Sequence, residues 1–221
     1  MLSNPSSIAA AQQELDRVVG PNRTPNFDDE PNLPLIRGMI KETHRMRPIN
    51  KFGNNHYSIE DDWYDGYFIP KNTLVMANWW SIHYDPKYYP EPEKFLPERW
   101  RDYPHSAAKA AALPDGRDRD HLSYGGGRRI CAGIHVAEKS LFINVARLLW
   151  GFNVGLAKDE QGKEIELDFS TKSLQPGSSS VVRPFPCEIR VRSEAHEKIL
   201  RREWEEAKER GVGFGHIKWS V

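Results

Sequence analysis

The segment that most constrains this chain is a glycine-rich, cysteine-containing stretch directly ahead of its most regular hydrophobic run. Residues 124–133 read YGGGRRICAG. From Ile134 to Trp150 apolar residues recur at helical spacing, and Gly151 follows, which predicts an amphipathic helix that ends there. The chain must therefore hold a flexible backbone segment and a single thiol, Cys131, at the mouth of a helix.

This arrangement suits a thiolate that ligates a metal. Gly125, Gly127 and Gly133 permit positive φ and a close approach of the backbone to a flat ligand. Backbone N–H groups and the helix N-terminus favour an anionic sulfur at Cys131, and Arg129 lies where it can meet a carboxylate. An axial thiolate on haem iron needs such an arrangement, because electron donation from the sulfur promotes cleavage of the O–O bond.

Two other kinds of site begin with a similar pattern. A glycine-rich loop before a helix also binds phosphate, but the sequence has neither a Gly-Lys-Ser/Thr segment nor a GxGxxG register. Cys131 and His135 are spaced as two zinc ligands on a helix would be, yet no second pair stands at a suitable spacing. The haem interpretation is therefore favoured, and no functional role is assigned to His83, His105 or His121.

Composition excludes several broad classes of protein. The 221 residues carry 31 basic and 31 acidic side chains, so no overall basic field favours nucleic acid or anionic lipid. No run approaches the roughly 18 apolar residues of a membrane span, and the N-terminus lacks the pattern of a signal peptide. The chain as written is expected to be soluble, with Cys187 as a buried structural thiol.

The remaining hydrophobic pattern predicts a mainly helical chain with small β-sheets. Helices are expected at residues 5–18, 34–47, 134–150 and 194–210, and short strands at 67–69, 74–77, 165–169 and 189–191. Residues 81–124 contain six prolines and are too long for an idle connection, so this stretch should wrap around another part of the chain. The last helix is polar and is expected to be a solvated extension, with a partner-binding helix as the alternative.

Three motifs resemble those of the cytochromes P450, and they occur along the chain in the family's order. The glycine-rich segment fits the family pattern F-G-x-G-x-R-x-C-x-G except that Tyr124 replaces phenylalanine. Residues 42–45 fit its E-x-x-R motif, and residues 95–100, FLPERW, fit its P-E-R-W/F segment. The resemblance covers residues 4–194 and is strongest to fungal microsomal members. It implies the C-terminal, haem-proximal part of the mainly helical P450 fold, a partial domain over residues 1–193 followed by a polar helical tail at 194–221.

The resemblance also implies which residues would form the loop that carries the cofactor. Cys131 would be the axial ligand of haem b iron, hence both the metal ligand and the catalytic residue. Gly125, Gly127 and Gly133 would shape the loop around it. Tyr124 would keep an aromatic ring near the haem and add a hydroxyl group.

Other matched positions would bind the haem edge or hold the fold together. Arg129 would bind one haem propionate, and His56 falls where many family members place a second propionate partner, although a solvated loop histidine is the alternative. Glu42, Arg45 and Arg99 would form a buried ion network that holds the irregular stretch against the haem loop.

The family's reaction is monooxygenation, in which one oxygen atom of O₂ is inserted into an organic substrate. The resemblance implies a small apolar substrate, a flavoprotein NADPH-dependent reductase as partner, a role in secondary metabolism, and no nucleic acid. The family's oxygen-activating segment, A/G-G-x-D/E-T-T/S, is not found in these residues, so the chain is expected to be part of a longer protein. That parent would reside at the endoplasmic reticulum through an upstream anchor. The alternative is a non-catalytic haem-binding remnant.

Overall fold

A computed structural model of the protein describes residues 1–211, in which six α-helices and six short β-strands are found. The helices are α1 (Pro5–Val18), α2 (Pro34–Met46), α3 (Trp79–His83), α4 (Ala107–Ala111), α5 (Ile134–Gly151) and α6 (Glu194–Glu209). The strands are β1 (His56–Tyr57), β2 (Asp62–Tyr64), β3 (Tyr67–Ile69), β4 (Leu74–Val75), β5 (Phe152–Leu156) and β6 (Cys187–Val191). None of the helices described is long and apolar enough to cross a bilayer.

The chain divides into two compact units. The first contains residues 1–33, 143–165 and the chain from Pro186 onward, and the second contains residues 34–142 and 166–185. The motif residues of the sequence analysis all belong to the second unit.

The first unit is held together by α1 and the C-terminal part of α5. The apolar face of α1 buries Ile8, Ala11 and Leu15, and full burial of a side chain such as Leu15 stabilises the fold by about 1.5–3 kcal/mol. Trp150 of α5 is also fully buried, and its indole N–H donates to the carbonyl oxygen of Gly20 at 2.8 Å. This hydrogen bond satisfies the one polar group that the indole brings into the core.

Helix α6 packs into the first unit as well, so the expectation of a solvated extension is wrong for its first turns. The ring of His196 is 8% exposed and meets Trp150 with ring centroids 4.6 Å apart. Further along, the Glu203 carboxylate accepts hydrogen bonds from the hydroxyl and the backbone N–H of Thr24 at 2.6 and 3.2 Å. Residues 212–221 of the expected tail lie outside the described residues.

In the second unit, helix α2 contacts a 3₁₀ turn, Pro97–Trp100, which is formed by the P-E-R-W segment. Ile36 and Met39 of α2 are fully buried. At Gly38, an added Cβ atom would lie 2.4 Å from the carbonyl oxygen of Pro97. A glycine is therefore required at this position because the helix backbone touches the backbone of the turn.

We expect Gly38→Ala to lower the free energy of unfolding by about 1–3 kcal/mol, because the methyl group would push against a backbone carbonyl. Helix propensity alone predicts the opposite sign, a gain of about 1 kcal/mol. Urea unfolding measures the difference. Gly116→Ala is the matched control, since a Cβ there meets nothing within 4 Å. Equal effects of the two substitutions would contradict the close approach at Gly38.

The short strands between α2 and α3 form two separate antiparallel pairs. Strand β2 pairs with β3 across a turn at Asp65 and Gly66, whose φ values of 49° and 81° are those that a tight hairpin turn requires. Strand β1 pairs with β4. The strands predicted at 67–69 and 74–77 are thus present, the second shorter than predicted, and they do not pair with each other.

The C-terminal strand prediction is half right. Strand β6 contains Ile189 and Val191 as predicted, but residues 165–169 form no strand. The Ile165 N–H donates to the carbonyl oxygen of Ala157, but no further backbone hydrogen bonds within the described chain extend this contact into a strand pairing. The partner of β6 is β5, which the sequence analysis missed because it follows α5 without a break and contains a glycine.

The prediction that Cys187 is buried is also wrong, because its side chain is exposed. Cys187 is the first residue of β6 and pairs with Leu156, the last residue of β5, so it lies at the open end of a two-stranded sheet. Two strands alone have no second layer to cover an end residue.

Candidate active site

The loop around Cys131 is closed by its own backbone. The Cys131 N–H donates to the carbonyl oxygen of Tyr124 at 2.9 Å, and a 3₁₀ turn, Gly127–Arg129, lies between them. Gly125 and Gly127 have φ values of 77° and 62°, a left-handed conformation that glycine adopts without strain. This folding presents an exposed thiol just before α5.

Gly133 does not behave as the sequence analysis expected. Its φ is not positive, and an added Cβ would lie 3.8 Å from Sγ of Cys131, an ordinary contact distance. The loop therefore needs the special conformation of glycine at positions 125 and 127 but not at 133, where the absence of a side chain leaves the thiol uncovered.

Cys131 lines a cavity of about 460 Å³ in the second unit. The other lining residues come from the predicted loop and from the chain between the end of α2 and the first residue of α3, and they include Asn50, His56, Trp79, Tyr124, Gly125 and Arg129. The structure thus brings His56 and Arg129, which are far apart in sequence, to the cavity that contains the thiol. Gly127 and Gly133 are not among its lining residues.

His56 and Arg129 also share the wall of a smaller neighbouring cavity of about 280 Å³. Both side chains are exposed. No residue of the described chain forms an ion pair or hydrogen bond with the Arg129 guanidinium. An unpaired cation beside a histidine is suited to bind an acidic group of a ligand.

The predicted ion network is present and centres on the Glu42 carboxylate, which is 0% exposed. It accepts five hydrogen bonds: from Nη2 and Nε of Arg45 at 2.9 and 3.0 Å, Nε of Arg99 at 3.1 Å, the backbone N–H of Leu96 at 3.0 Å and the indole of Trp100 at 2.8 Å. Glu42 therefore joins helix α2 to the Pro97–Trp100 turn.

Arg45 extends the same network into the irregular stretch. Its guanidinium donates to the carbonyl oxygens of His83 and Pro92, both at 2.8 Å, and of Lys94 at 3.3 Å. Arg45 is itself fully buried. The proline-rich segment thus wraps around this side chain, which supplies the hydrogen bonds that the irregular backbone cannot make to itself.

A second buried charge pair lies on the segment leading into the loop. The Lys41 ammonium group of α2 bonds the Asp120 carboxylate, and both side chains are almost completely buried. Burial raises the pKa of Asp120, and the neighbouring Lys41 charge opposes that rise. The pair connects α2 to the chain four residues before Tyr124 and was not anticipated from the sequence.

Three histidines are buried behind the loop, and two of them accept backbone hydrogen bonds. Nε2 of His83 accepts from the N–H of Leu122 at 2.8 Å, and Nδ1 of His121 accepts from the N–H of Ser123 at 3.3 Å. Desolvation lowers the pKa of His44 and of His83 to about 4, and that of His121 well below its usual value. These rings are therefore neutral near pH 7.

The hydroxyl of Tyr124 lies 3.3 Å from Nε2 of His44, so the tyrosine ring is tied to α2. Burial raises the pKa of Tyr124 to about 12, which keeps the phenol protonated. The Ser123 hydroxyl donates to the carbonyl oxygen of His44 at 2.9 Å. Two adjacent residues of the loop thus contact one residue of the helix.

Sequence reasoning missed one aromatic wall of the cavity. Trp79, the first residue of α3, lies against Gly53, where an added Cβ would come within 2.8 Å of the indole ring. Gly53 also has a φ of 62°. The sequence offered one signal, the glycine between Phe52 and two asparagines. Trp79 is 26 positions away, so no local pattern connects the two residues.

A family model described as Cytochrome P450 matches residues 1–179 of this chain. Among curated proteins, Cytochrome P450 monooxygenase verL of Clonostachys rogersoniana is 46% identical over 208 residues, or 94% of this chain and 38% of the relative. Cytochrome P450 monooxygenase yanC of Aspergillus niger is 40% identical over 205 residues, covering 92% of this chain and 38% of that relative. The chain thus spans less than half the length of the curated relatives it matches.

Solved structures agree with the sequence relatives. A zebra fish cytochrome P450 structure with abiraterone superposes with a TM-score of 0.70 at 28% identity, covering 87% of this chain and 41% of that one. A structure of a zebra fish cytochrome P450 with progesterone gives a TM-score of 0.68 at 29% identity and covers 86% of this chain and 39% of the other.

Proposed function

This chain belongs to the cytochrome P450 family, and from that premise we propose that it is the thiolate-bearing portion of a haem monooxygenase. The observation that carries the proposal is the exposed Cys131 thiol in a cavity that also contains Arg129 and His56. The family and the site thus point to the same cofactor.

The residues of the cavity fit a haem group. A thiolate is a soft ligand of the kind that binds haem iron. Val75, Ala77 and Trp79 supply an apolar wall for a flat ring. Arg129 has no partner within the described chain and supplies charge for a propionate, and His56 supplies a second polar contact.

When bound, haem supplies activation of dioxygen for insertion of one oxygen atom into an organic substrate. We assign the iron ligand to Cys131, whose thiolate would hold the haem and would donate electron density to its iron. Arg129 and His56 would orient the ring by binding its propionates. Glu42, Arg45 and Arg99 would act at a distance by fixing the loop that holds the thiolate.

We extend the proposal to a longer parent protein, with family membership as its support. We infer a small apolar substrate and a flavoprotein NADPH-dependent reductase as electron donor. We place such a parent at the endoplasmic reticulum membrane. Arg128 is an exposed residue of the loop, and we infer that an acidic reductase would approach this surface.

Spectroscopy of the full chain tests the assignment of Cys131. After addition of haem, reduction and carbon monoxide, the Soret band should show the red shift that thiolate ligation produces. Cys131→Ala should lose this band, whereas Cys187→Ala, which removes the other exposed thiol, should keep it. An unchanged spectrum in Cys131→Ala would refute the assignment.

A spectroscopic titration of the full chain with haem tests the propionate contact. Arg129→Leu should weaken haem affinity about tenfold or more, because a hydrogen bond to a charged group is lost. Arg128→Leu is the matched control, since this neighbouring exposed arginine does not line either of the two cavities. Equal haem affinities of the two variants would show that Arg129 does not bind a propionate.

A further inference from the structure

The second unit contains another cavity, of about 700 Å³, which has no part in the proposed haem site. Among the described residues, its lining has none in common with the cavity around Cys131. It is formed by the segments after α3, by the Pro97–Trp100 turn and by residues 115–119. Its volume lies within the range of about 300–1,000 Å³ that is usual for small-molecule sites.

The charges of the lining leave an excess of one positive charge. Three arginines face two aspartates, and the residues are Arg99, Arg117, Arg119, Asp115 and Asp118. Arg117 is neutralised by Asp115 through hydrogen bonds of 2.6 to 3.0 Å. A ligand with a single negative charge would therefore balance the site.

Two of these arginines keep donors that are not used within the described part of the chain. Arg119 donates through Nε and Nη2 to the carbonyl oxygen of Leu113 at 3.0 and 2.7 Å, and its Nη1 has no acceptor there. Arg99 donates through Nε to Glu42 and through Nη2 to the carbonyl oxygen of Glu91, and its Nη1 likewise has no acceptor among these residues. Free N–H groups on a guanidinium favour a planar carboxylate.

Four aromatic residues also line the cavity, and three of them are held in place by contacts within the fold. Trp100 meets Tyr103 edge-on with ring centroids 5.8 Å apart, and Tyr89 lies 6.3 Å from Trp100. The hydroxyl groups of Tyr89 and Tyr103 donate to the carbonyl oxygens of Asp120 and Asp118 at 3.2 and 2.8 Å. Fixed rings of this kind stack or pack edge-to-face with an aromatic ligand.

Arg119 also lies against the thiolate loop. An added Cβ at Gly126 would come within 2.3 Å of Nη1 of Arg119. Position 126 is one of the four variable positions of the family pattern, so the motif itself does not demand a glycine there. The small residue is explained here by the guanidinium that occupies the adjacent space.

We propose that this cavity is a second binding site, distinct from the haem site, for a small planar aromatic monoanion such as an aromatic carboxylate. The carboxylate would pair with the guanidinium groups of Arg119 and Arg99, and the ring would lie among Tyr88, Tyr89 and Trp100. The proposal rests on the lining of this cavity and does not require that haem binds.

Isothermal titration of the full chain with 2-naphthoate tests the proposal. Gly116→Leu should weaken binding about tenfold or more, because a side chain there meets no atom within 4 Å of its Cβ and would occupy the cavity. Gly155→Leu is the matched control: this glycine is also open and lies in the first unit, so binding should be unchanged. 2-Naphthylmethanol, which has the same ring without the charge, should also bind about tenfold more weakly.

An Arg119 variant and a competition measurement with haem complete the test. Arg119→Met should weaken 2-naphthoate binding about tenfold and leave 2-naphthylmethanol binding unchanged, and it carries the test if Gly116→Leu fails to fold by circular dichroism. Haem should not compete with 2-naphthoate. Absence of 2-naphthoate binding, unaltered binding in both variants, equal binding of the neutral analogue, or displacement by haem would each overturn the proposal.

Discussion

At pH 5 the protein should be at least about 4 kcal/mol less stable than at pH 7, because three histidines are buried as neutral rings. Desolvation lowers the pKa of His44 and of His83 from 6.5 to about 4, and that of His121 well below 6.5. His44 and His83 each contribute about 2 kcal/mol over this interval, since a difference of one pKa unit is worth about 1.4 kcal/mol. His121 adds to the loss in the same direction. Such a loss is comparable with the whole stability of many domains, about 5–15 kcal/mol.

The direction follows from which state binds protons first. Between pH 6.5 and about 4 the unfolded chain protonates its histidines while the folded protein does not, so acid favours unfolding. The hydrogen bonds agree, because the nitrogens of His83 and His121 that accept backbone N–H groups cannot accept them once protonated. Asp120 acts in the opposite sense nearer its ordinary pKa, because burial raises its pKa.

Urea unfolding at pH 7 and pH 5 measures this loss, and unfolding at pH 5 should take up about two protons or more. His83→Gln should remove about 2 kcal/mol of the pH dependence, whereas His105→Gln, at a partly exposed position, should not change it. A stability that is the same at both pH values would show that these histidines are not buried as neutral rings.

Glu42→Gln should lower the free energy of unfolding by about 3–5 kcal/mol, because it leaves Arg45 buried without its countercharge. The carboxylate accepts five hydrogen bonds and is 0% exposed, so no orientation of an amide satisfies all five donors. Arg45 of the same network holds the carbonyl oxygen of His83, whose ring accepts from the N–H of Leu122 just before the thiolate loop. The more severe Glu42→Ala should therefore also abolish haem retention.

Thermal or urea unfolding of Glu42→Gln against Glu205→Gln provides the comparison. Glu205 pairs with Lys208 on the exposed face of α6, with side chains 63% and 49% exposed, so its loss should cost no more than about 0.5 kcal/mol. If both variants were equally stable and Glu42→Ala retained haem normally, the pair at Glu42 would be no more than a surface contact.

The parts of the site that the sequence predicted are those carried by contiguous motifs. Cys131, Arg129 and the glycines lie in one segment, and the order of the three motifs placed Glu42, Arg45 and Arg99 in one network. His56 lay outside these motifs, yet it lines the same cavity. Each of these predictions used either a short spacing or a family pattern.

The parts that were missed depend on residues that meet only after folding. His44, His83 and His121 come from three different segments, and nothing local to any of them indicates burial. Lys41 and Asp120 look like ordinary surface charges in the sequence but form a buried pair. The strand predicted at 165–169 failed for a similar reason, since alternation of apolar residues does not supply a partner strand.

X-ray absorption at the iron edge of the haem-loaded protein tests the central claim most directly. The account predicts a sulfur atom bonded to iron in the natural chain and in Cys187→Ala, and no sulfur neighbour in Cys131→Ala. A nitrogen or oxygen atom in place of sulfur in the natural chain, or sulfur that persists without Cys131, would contradict it.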